Sequence, residues 1–157
     1  MGVADINESV QYLTFELADE VFALDVAKVR EILELTTITK VPQTPEFMTG
    51  VINLRGSVVP VVDMKLKFGM SMTVQTVNTC IIVVEVNLEG STIVLGALAD
   101  SVREVVEMEP ESIEPAPRIG TKLDTDFIKG MGKIDDHFVM ILDIDKIFSS
   151  AELSNLT

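Results

Sequence analysis

Few side chains in this sequence are suited to catalysis. The chain contains one histidine, one cysteine and no tryptophan, and it has no G-x-x-x-x-G-K-[ST], H-E-x-x-H or G-x-S-x-G motif. His137 lies between Asp136 and Phe138 and could hydrogen-bond an aspartate. A catalytic set of nucleophile, base and orienting group would need further residues, and no spacing in the sequence suggests them. We interpret His137 as a surface turn residue, with catalysis or metal binding as the alternative.

Cys80 and two aspartates are better explained by structure than by reactivity. Cys80 opens the apolar run Cys80-Ile-Ile-Val-Val84, where a thiol packs as a small hydrophobic group and lacks the cations that activate a thiolate. Asp63 and Asp143 each follow an apolar strand and precede a helix-like stretch, which predicts that they cap helices. No carboxylate cluster has the spacing of a calcium loop. We therefore expect a protein that is not an enzyme and has no metal or other cofactor.

Length, charge and hydropathy limit the elements that position these residues. The 157 residues allow one domain or two small subdomains. The net charge of -13 opposes binding to nucleic acid and to anionic membrane surfaces. The longest apolar run, residues 93–99, is far shorter than the roughly 18 residues of a spanning helix, and the acidic N-terminus is unlike a signal peptide. With a single cysteine, these features predict a cytoplasmic protein that binds no nucleic acid and does not insert into membranes.

The sequence contains an internal duplication. Val29-Arg-Glu-Ile-Leu-Glu34 returns as Val102-Arg-Glu-Val-Val-Glu107, with four identities in six positions at an offset of 73. A second frame, at an offset of 80, repeats the pattern F-x2-G-x12-D-x4-F, beginning at Phe47 and again at Phe127. The difference in offset places an insertion in the Glu-rich and Pro-rich stretch around Pro110, which predicts a longer connecting loop.

Each repeat has the pattern of about five short strands. Apolar and polar residues alternate over residues 12–17, and the stretches 80–86 and 91–98 flank a predicted turn at 87–90. Further hairpin turns are predicted at Arg55-Gly56-Ser57 and at Asp135-Asp136-His137. Short helices are predicted at 45–49, 64–68 and 125–129, and a C-terminal helix at 144–153.

Strands this short bury a core most economically by curling into barrels, which also removes free edges. We expect a mainly β fold of two similar five-stranded barrels packed together. The predicted subdomains cover about 10–75 and 76–148 within a single domain of residues 1–157, with exchange of terminal segments between them left open. A doubly wound α/β fold is disfavoured, because the connections are too short for helices between successive strands.

Positions at which the two repeats differ are candidates for function. The clearest difference is Arg55-Gly56 in one turn against Asp135-Asp136 in the other. A guanidinium at a hairpin tip can form a forked pair with a carboxylate of a partner protein. The alternative, which we weigh equally, is an internal salt bridge to Glu31 or Asp63.

A longer motif resembles the CheW family of chemotaxis coupling proteins. It runs from Pro42-x-x-Pro45-x-Phe47-x-x-Gly50-Val-Ile-Asn-Leu-Arg55-Gly56 through Val58-Val-Pro60-Val-Val-Asp63 to Lys67-Phe68-Gly69. Similarity continues through Ala99-Asp-Ser-Val-Arg-Glu104, so it covers nearly the whole chain. Ala99 and Met64 depart mildly from the family pattern, and both keep its hydrophobic character.

The resemblance implies a fold and a function. The fold is two SH3-like β-barrel subdomains around a shared hydrophobic core. The function is that of a non-catalytic adaptor that links the regulatory domain of the histidine kinase CheA to the cytoplasmic tip of methyl-accepting chemotaxis receptors, and so associates with receptor arrays. The resemblance also implies candidate binding residues: positions implicated in binding receptor or kinase, their neighbours, and their copies in the second repeat. These residues are Val29, Glu31, Ile32, Gly50, Arg55, Val102 and Val105.

Three alternative functions remain open. The same adaptor could serve another chemosensory pathway, such as surface motility. The residues could be the CheW-like part of a larger kinase or of a fusion to a receiver domain, which the Met1 start and the polar end at Thr157 disfavour. A small ligand-binding or hydrolytic barrel would use His137 and its flanking aspartates.

Overall fold

Short strands dominate the computed structural model, which describes residues 9–115 and 127–148. The mainly β fold predicted from the sequence is confirmed. The strands are β1 (Val10–Leu17), β2 (Glu20–Asp25), β3 (Val29–Glu34), β4 (Met48–Leu54), β5 (Ser57–Val62), β6 (Cys80–Leu88), β7 (Ser91–Ala99), β8 (Ser101–Met108), β9 (Ile128–Ile134) and β10 (His137–Leu142). The helices are α1 (Met64–Lys67) and α2 (Ile144–Ile147), and 3-10 turns occupy Val26–Lys28 and Pro110–Ser112.

Four tight turns connect the hairpins β1-β2, β4-β5, β6-β7 and β9-β10. Each turn has two central residues, and both have positive φ angles, which is the type I′ geometry that matches the twist of paired strands. The predicted hairpins are therefore present. The central residues are Ala18 and Asp19, Arg55 and Gly56, Glu89 and Gly90, and Asp135 and Asp136.

The strands form two five-stranded sheets that each curl into a small barrel. Barrel 1 has the strand order β8-β1-β2-β10-β9, and barrel 2 has the order β3-β6-β7-β5-β4. In barrel 2, the chain beyond edge strand β3 reaches the opposite edge, where Thr39 and Val51 exchange two backbone hydrogen bonds of 2.8 Å. Glu114 and Met131 close barrel 1 in the same way, at 2.9 and 2.7 Å. Each barrel thus has a seam between its edge strands that is closed at one end by this bridge.

The two repeats exchange their hairpins. In barrel 2, Val61 on β5 pairs in parallel with Gly96 on β7, and in barrel 1, Ile141 on β10 pairs with Ala23 on β2. Val61 and Ile141 are 80 positions apart, and Ala23 and Gly96 are 73 positions apart. These spacings are the two offsets of the duplication. The first hairpin of each repeat therefore joins the barrel of the other repeat. The strand pairing shows which strands share a sheet, and the subdomain boundaries along the chain stay a prediction.

Three apolar clusters hold the barrels together. One cluster fills each barrel, around Ile52, Val61 and Val83 in barrel 2 and around Tyr12 and Ile141 in barrel 1. The largest cluster lies between the barrels and takes residues from both, as the resemblance implied. Its aromatic rings contact one another with centroids 5.3 to 6.2 Å apart, and they belong to Phe15, Phe22, Phe47, Phe68, Phe127 and Phe148.

The predicted helices have mixed outcomes. Helix α1 is present as expected, with Asp63 as its N-cap, and Asp143 caps α2 in the same way. The helix predicted at 45–49 is wrong: Met48 N donates to the Pro45 carbonyl at 2.9 Å, which closes a turn, and β4 begins at Met48. Of the helix predicted at 125–129, residues 125 and 126 lie outside the described residues, and β9 begins at Ile128. The C-terminal helix is described only as Ile144–Ile147, and residues 149–153 lie outside the described residues.

Candidate functional site

An ion pair lies across the seam of barrel 2, at the end opposite the Thr39 bridge. Arg55 occupies the exposed tip between β4 and β5, and Glu31 lies on edge strand β3. The Arg55 Nη1 group donates to Glu31 Oε1 at 3.2 Å, and Nη2 donates to Oε2, so the pair is forked. Of the two internal partners predicted for Arg55, the structure shows Glu31. The other, Asp63, is buried and accepts hydrogen bonds from Thr73.

The forked pair changes the acidity of both members. The hydrogen bond from Arg55, aided by its positive charge, lowers the pKa of Glu31 below its ordinary range. The same hydrogen bond raises the pKa of Arg55. Because 71% of the Arg55 side chain is exposed, water screens the pair, and a partner protein has access to the guanidinium.

Gly50 lies in β4, beside the other end of the same seam. A Cβ atom at this position would lie 2.3 Å from the Thr39 carbonyl oxygen and 2.7 Å from Ile38 Cγ2. Gly130 is equivalent in barrel 1, where a Cβ would lie 2.9 Å from the Glu114 carbonyl oxygen. Both glycines let the chain beyond an edge strand approach the opposite edge. Gly50 is buried and presents no side chain, so the geometry assigns it to closure of the barrel.

The predicted apolar site residues form two equivalent pairs, one in each barrel. Val29 on β3 and Val102 on β8 are partly buried and pack against the core shared by the barrels. Ile32 and Val105 are exposed to 44% and 51%. Ile32 and Glu31 are adjacent on β3, and its burial alternates, so they face opposite sides of the strand. The structure therefore brings Glu31, Arg55 and Gly50 to one seam, but it does not bring Val102 and Val105 to that seam.

Two exposed apolar features were not singled out from the sequence. Val58 and Phe138, which directly follow equivalent turns, are exposed to 72% and 55%. Val58 and Phe138 are 80 positions apart, which is one of the two offsets of the duplication, and this spacing could have identified the pair. In the loop between α1 and β6, Met72, Val74 and Val77 are exposed around buried Thr73.

The side chains considered for catalysis have ordinary structural surroundings. His137 begins β10 at an exposed position, and Cys80 donates its S–H to the Asn78 carbonyl at 3.3 Å. Within residues 9–115 and 127–148, no group of three or more His, Cys, Asp or Glu residues could hold a metal ion. Across the same part of the chain, no helix has the length and apolar character needed to span a bilayer.

Two related barrels with exposed apolar and ion-paired surfaces define a duplicated-barrel interaction domain. The family model of the CheW-like domain matches residues 11–152. The chain is 34% identical to the chemotaxis protein CheW of Klebsiella aerogenes, over 92% of this chain and 84% of that protein. It is 33% identical to the probable chemotaxis protein CheW of Rhizobium etli, over 96% of each chain. The crystal structure of the scaffolding protein TtCheW from Thermoanaerobacter tengcongensis has a TM-score of 0.81 and 36% identity, covering 92% of this chain and 91% of that one.

The chain belongs to the CheW-like family, whose members are chemotaxis scaffold proteins. It is accordingly a non-catalytic chemotaxis adaptor with two SH3-like barrels.

Proposed function

We propose that this adaptor couples methyl-accepting chemotaxis receptors to the histidine kinase CheA, and that it acts in the cytoplasm beside receptor arrays. The observation that carries the proposal is the exposure of Ile32 and Val105 at equivalent positions of β3 and β8. The duplication thus provides two related surfaces whose side chains differ. An adaptor with two different partners needs such a pair of surfaces.

The proposed mechanism is physical coupling without a chemical step. An exposed apolar groove accepts the helical hairpin of the receptor tip, and other barrel faces bind the barrels of the kinase regulatory domain. Individually modest contacts become effective because the adaptor holds receptor and kinase together and raises their effective concentration. A change in receptor packing then shifts the conformational equilibrium of the kinase.

The site residues divide into contact residues and supporting residues in this proposal. Arg55 and Ile32 are exposed and contact a partner directly, and Val105 does so on barrel 1. Val29 and Val102 support these contacts from the rim of the shared core. Glu31 orients the Arg55 guanidinium, and Gly50, described above, maintains the seam.

Calorimetric titration with a CheA regulatory domain and with a receptor tip fragment tests this division. We expect Ile32→Asn and Val105→Asn each to weaken binding of at least one partner by about tenfold, the loss expected when a buried apolar contact is removed. Val77→Asn is the matched control, because Val77 is fully exposed on the loop before β6. Unchanged affinity of both partners for both variants would refute the proposal.

A further inference from the structure

Each barrel has a groove at the open end of its seam. The barrel 1 groove has a volume of about 430 Å³, and the barrel 2 groove has one of about 360 Å³. The two grooves are built from equivalent positions, so each serves as an internal comparison for the other. The equivalent lining residues of barrel 2 and barrel 1 are Arg30 and Arg103, Glu31 and Glu104, Arg55 and Asp135, and Val58 and Phe138.

The two grooves differ in charge. In barrel 2, Arg55 neutralises Glu31 across the seam. In barrel 1, Asp135 takes the place of the arginine and faces the same groove as Glu104. Among the described residues, neither of these two carboxylates has an ion-pair or hydrogen-bond partner for its side chain. The barrel 1 groove therefore lacks the cation that its counterpart provides from its own chain.

Among the described residues that line the barrel 1 groove, the basic side chains are Arg103 and His137. Arg103 lines the groove, but its guanidinium pairs with Glu16 at 3.7 Å. Asp19 and Glu20 add two further carboxylates to the lining. The four carboxylates in the lining of this groove favour binding of a positive charge from outside.

The groove also has an apolar surface beside these carboxylates. Val21 and Ile134, which are partly exposed, line it, and Phe138 lies in the same lining with 55% exposure. A simple inorganic cation would leave this surface uncovered. A peptide segment with a cationic side chain next to apolar side chains would cover both parts of the groove.

We propose that the barrel 1 groove binds a partner protein through an arginine flanked by apolar side chains, with the guanidinium between Glu104 and Asp135. The arginine takes the place that Arg55 occupies in barrel 2, and the apolar neighbours contact Phe138. Arginine suits the site better than lysine, because its planar guanidinium can donate to two carboxylates at once. This binding site goes beyond the proposed function, since it does not depend on the identity of the receptor or of the kinase.

NMR titration of the full chain with short peptides tests the proposal. The probes are acetyl-Val-Arg-Val-amide and the versions with Gln or Glu in place of Arg. We expect the Arg peptide to shift the resonances of Ile134 and Phe138, and the Gln peptide to bind about tenfold more weakly, because a charge-assisted pair is lost. Equal binding of all three peptides, or shifts confined to other surfaces, would overturn the proposal.

A charge reversal at the turn provides the matching variant. Asp135→Arg is expected to pair with Glu104, as Arg55 pairs with Glu31, and to abolish peptide binding. The turn should tolerate the change, because Arg55 has φ 51° at the equivalent position and Asp135 has φ 47°. Glu89→Arg is the control: it makes the same change in charge at the first position of another type I′ turn, outside the groove.

The two variants and a sedimentation measurement complete the test. Wild-type peptide binding by Glu89→Arg, together with loss of binding by Asp135→Arg, supports the groove. Retained binding by Asp135→Arg refutes it. Self-association that Asp135→Arg abolishes would identify the occupant as a second copy of this chain and overturn the assignment to a different protein.

Discussion

Replacing Gly50 by alanine tests how the barrel 2 seam is closed. The new Cβ would lie 2.3 Å from the Thr39 carbonyl oxygen and 2.9 Å from its carbonyl carbon, so the clash is with backbone and cannot be relieved by a side-chain rotation. The chain around Thr39 must move by about 1 Å to restore normal van der Waals contact. This movement breaks the two 2.8 Å hydrogen bonds between Thr39 and Val51.

The free-energy cost follows from those two bonds and from the backbone conformation of Gly50. At about 1 kcal/mol each, loss of the bonds costs about 2 kcal/mol. Alanine at the φ of 156° that Gly50 adopts costs about 1 kcal/mol or more in backbone strain, which offsets the up to about 1 kcal/mol recovered from the lower entropy of the unfolded variant. We therefore expect Gly50→Ala to lower the free energy of unfolding by at least about 2 kcal/mol, which is roughly 4 to 8 °C in Tm for a chain of this size. Gly130→Ala should also destabilise, since its Cβ meets the Glu114 carbonyl oxygen.

Urea denaturation measures the loss of stability, and hydrogen exchange locates it. The Thr39 and Val51 amides should lose protection in Gly50→Ala, while the Glu114 and Met131 amides in barrel 1 should keep theirs. If the variant matches the original chain in stability and keeps protection at Thr39 and Val51, the reasoning about the seam is refuted.

Two further predictions concern the aspartate caps and the ion pair. Asp63 accepts from Lys65 N and from both Thr73 N and Thr73 Oγ1, whereas among the described residues Asp143 accepts only from Asp145 N. In urea denaturation, Asp63→Ala should therefore cost about 3 kcal/mol and Asp143→Ala about 1 kcal/mol, and equal costs would contradict this assignment. Arg55→Gln should raise the pKa of Glu31 towards its ordinary range in an NMR titration, because the pair that lowers it is lost. In the unmodified chain, the pair stabilises the folded state at neutral pH, and this contribution is lost as the pH falls through the lowered pKa of Glu31. An unchanged pKa of Glu31 in the variant would show that the pair does not persist in solution.

Features set by short stretches of sequence could be predicted. The turns at Arg55-Gly56 and Asp135-Asp136 were predicted because they interrupt apolar runs with residues that suit tight turns. The caps at Asp63 and Asp143 follow from the same local reasoning. The error at residues 45–49 has a local cause as well: one hydrogen-bonded turn resembles the first turn of a helix, and only the start of β4 at Met48 distinguishes them.

Features set by long-range pairing could not be predicted. A duplicated sequence has the same local pattern whether each hairpin pairs within its own repeat or with the other, so the exchange that places Ala23 beside Ile141 has no local signal. For the candidate site, the sequence leaves open whether Arg55 pairs with a partner protein or internally, with Glu31 or Asp63. The choice of Glu31 depends on the position of β3 along the seam.

Simultaneous binding of both partners tests the central claim of an adaptor most directly. The chain would be saturated with a CheA regulatory domain, and a receptor tip fragment would then be titrated into the complex by calorimetry. Because each partner binds its own surface in this account, we expect the fragment to bind the complex with nearly the affinity that it has for the free chain. We also expect the three proteins to sediment together. Displacement of the kinase domain by the receptor fragment would contradict the account, because the partners would then share a single surface.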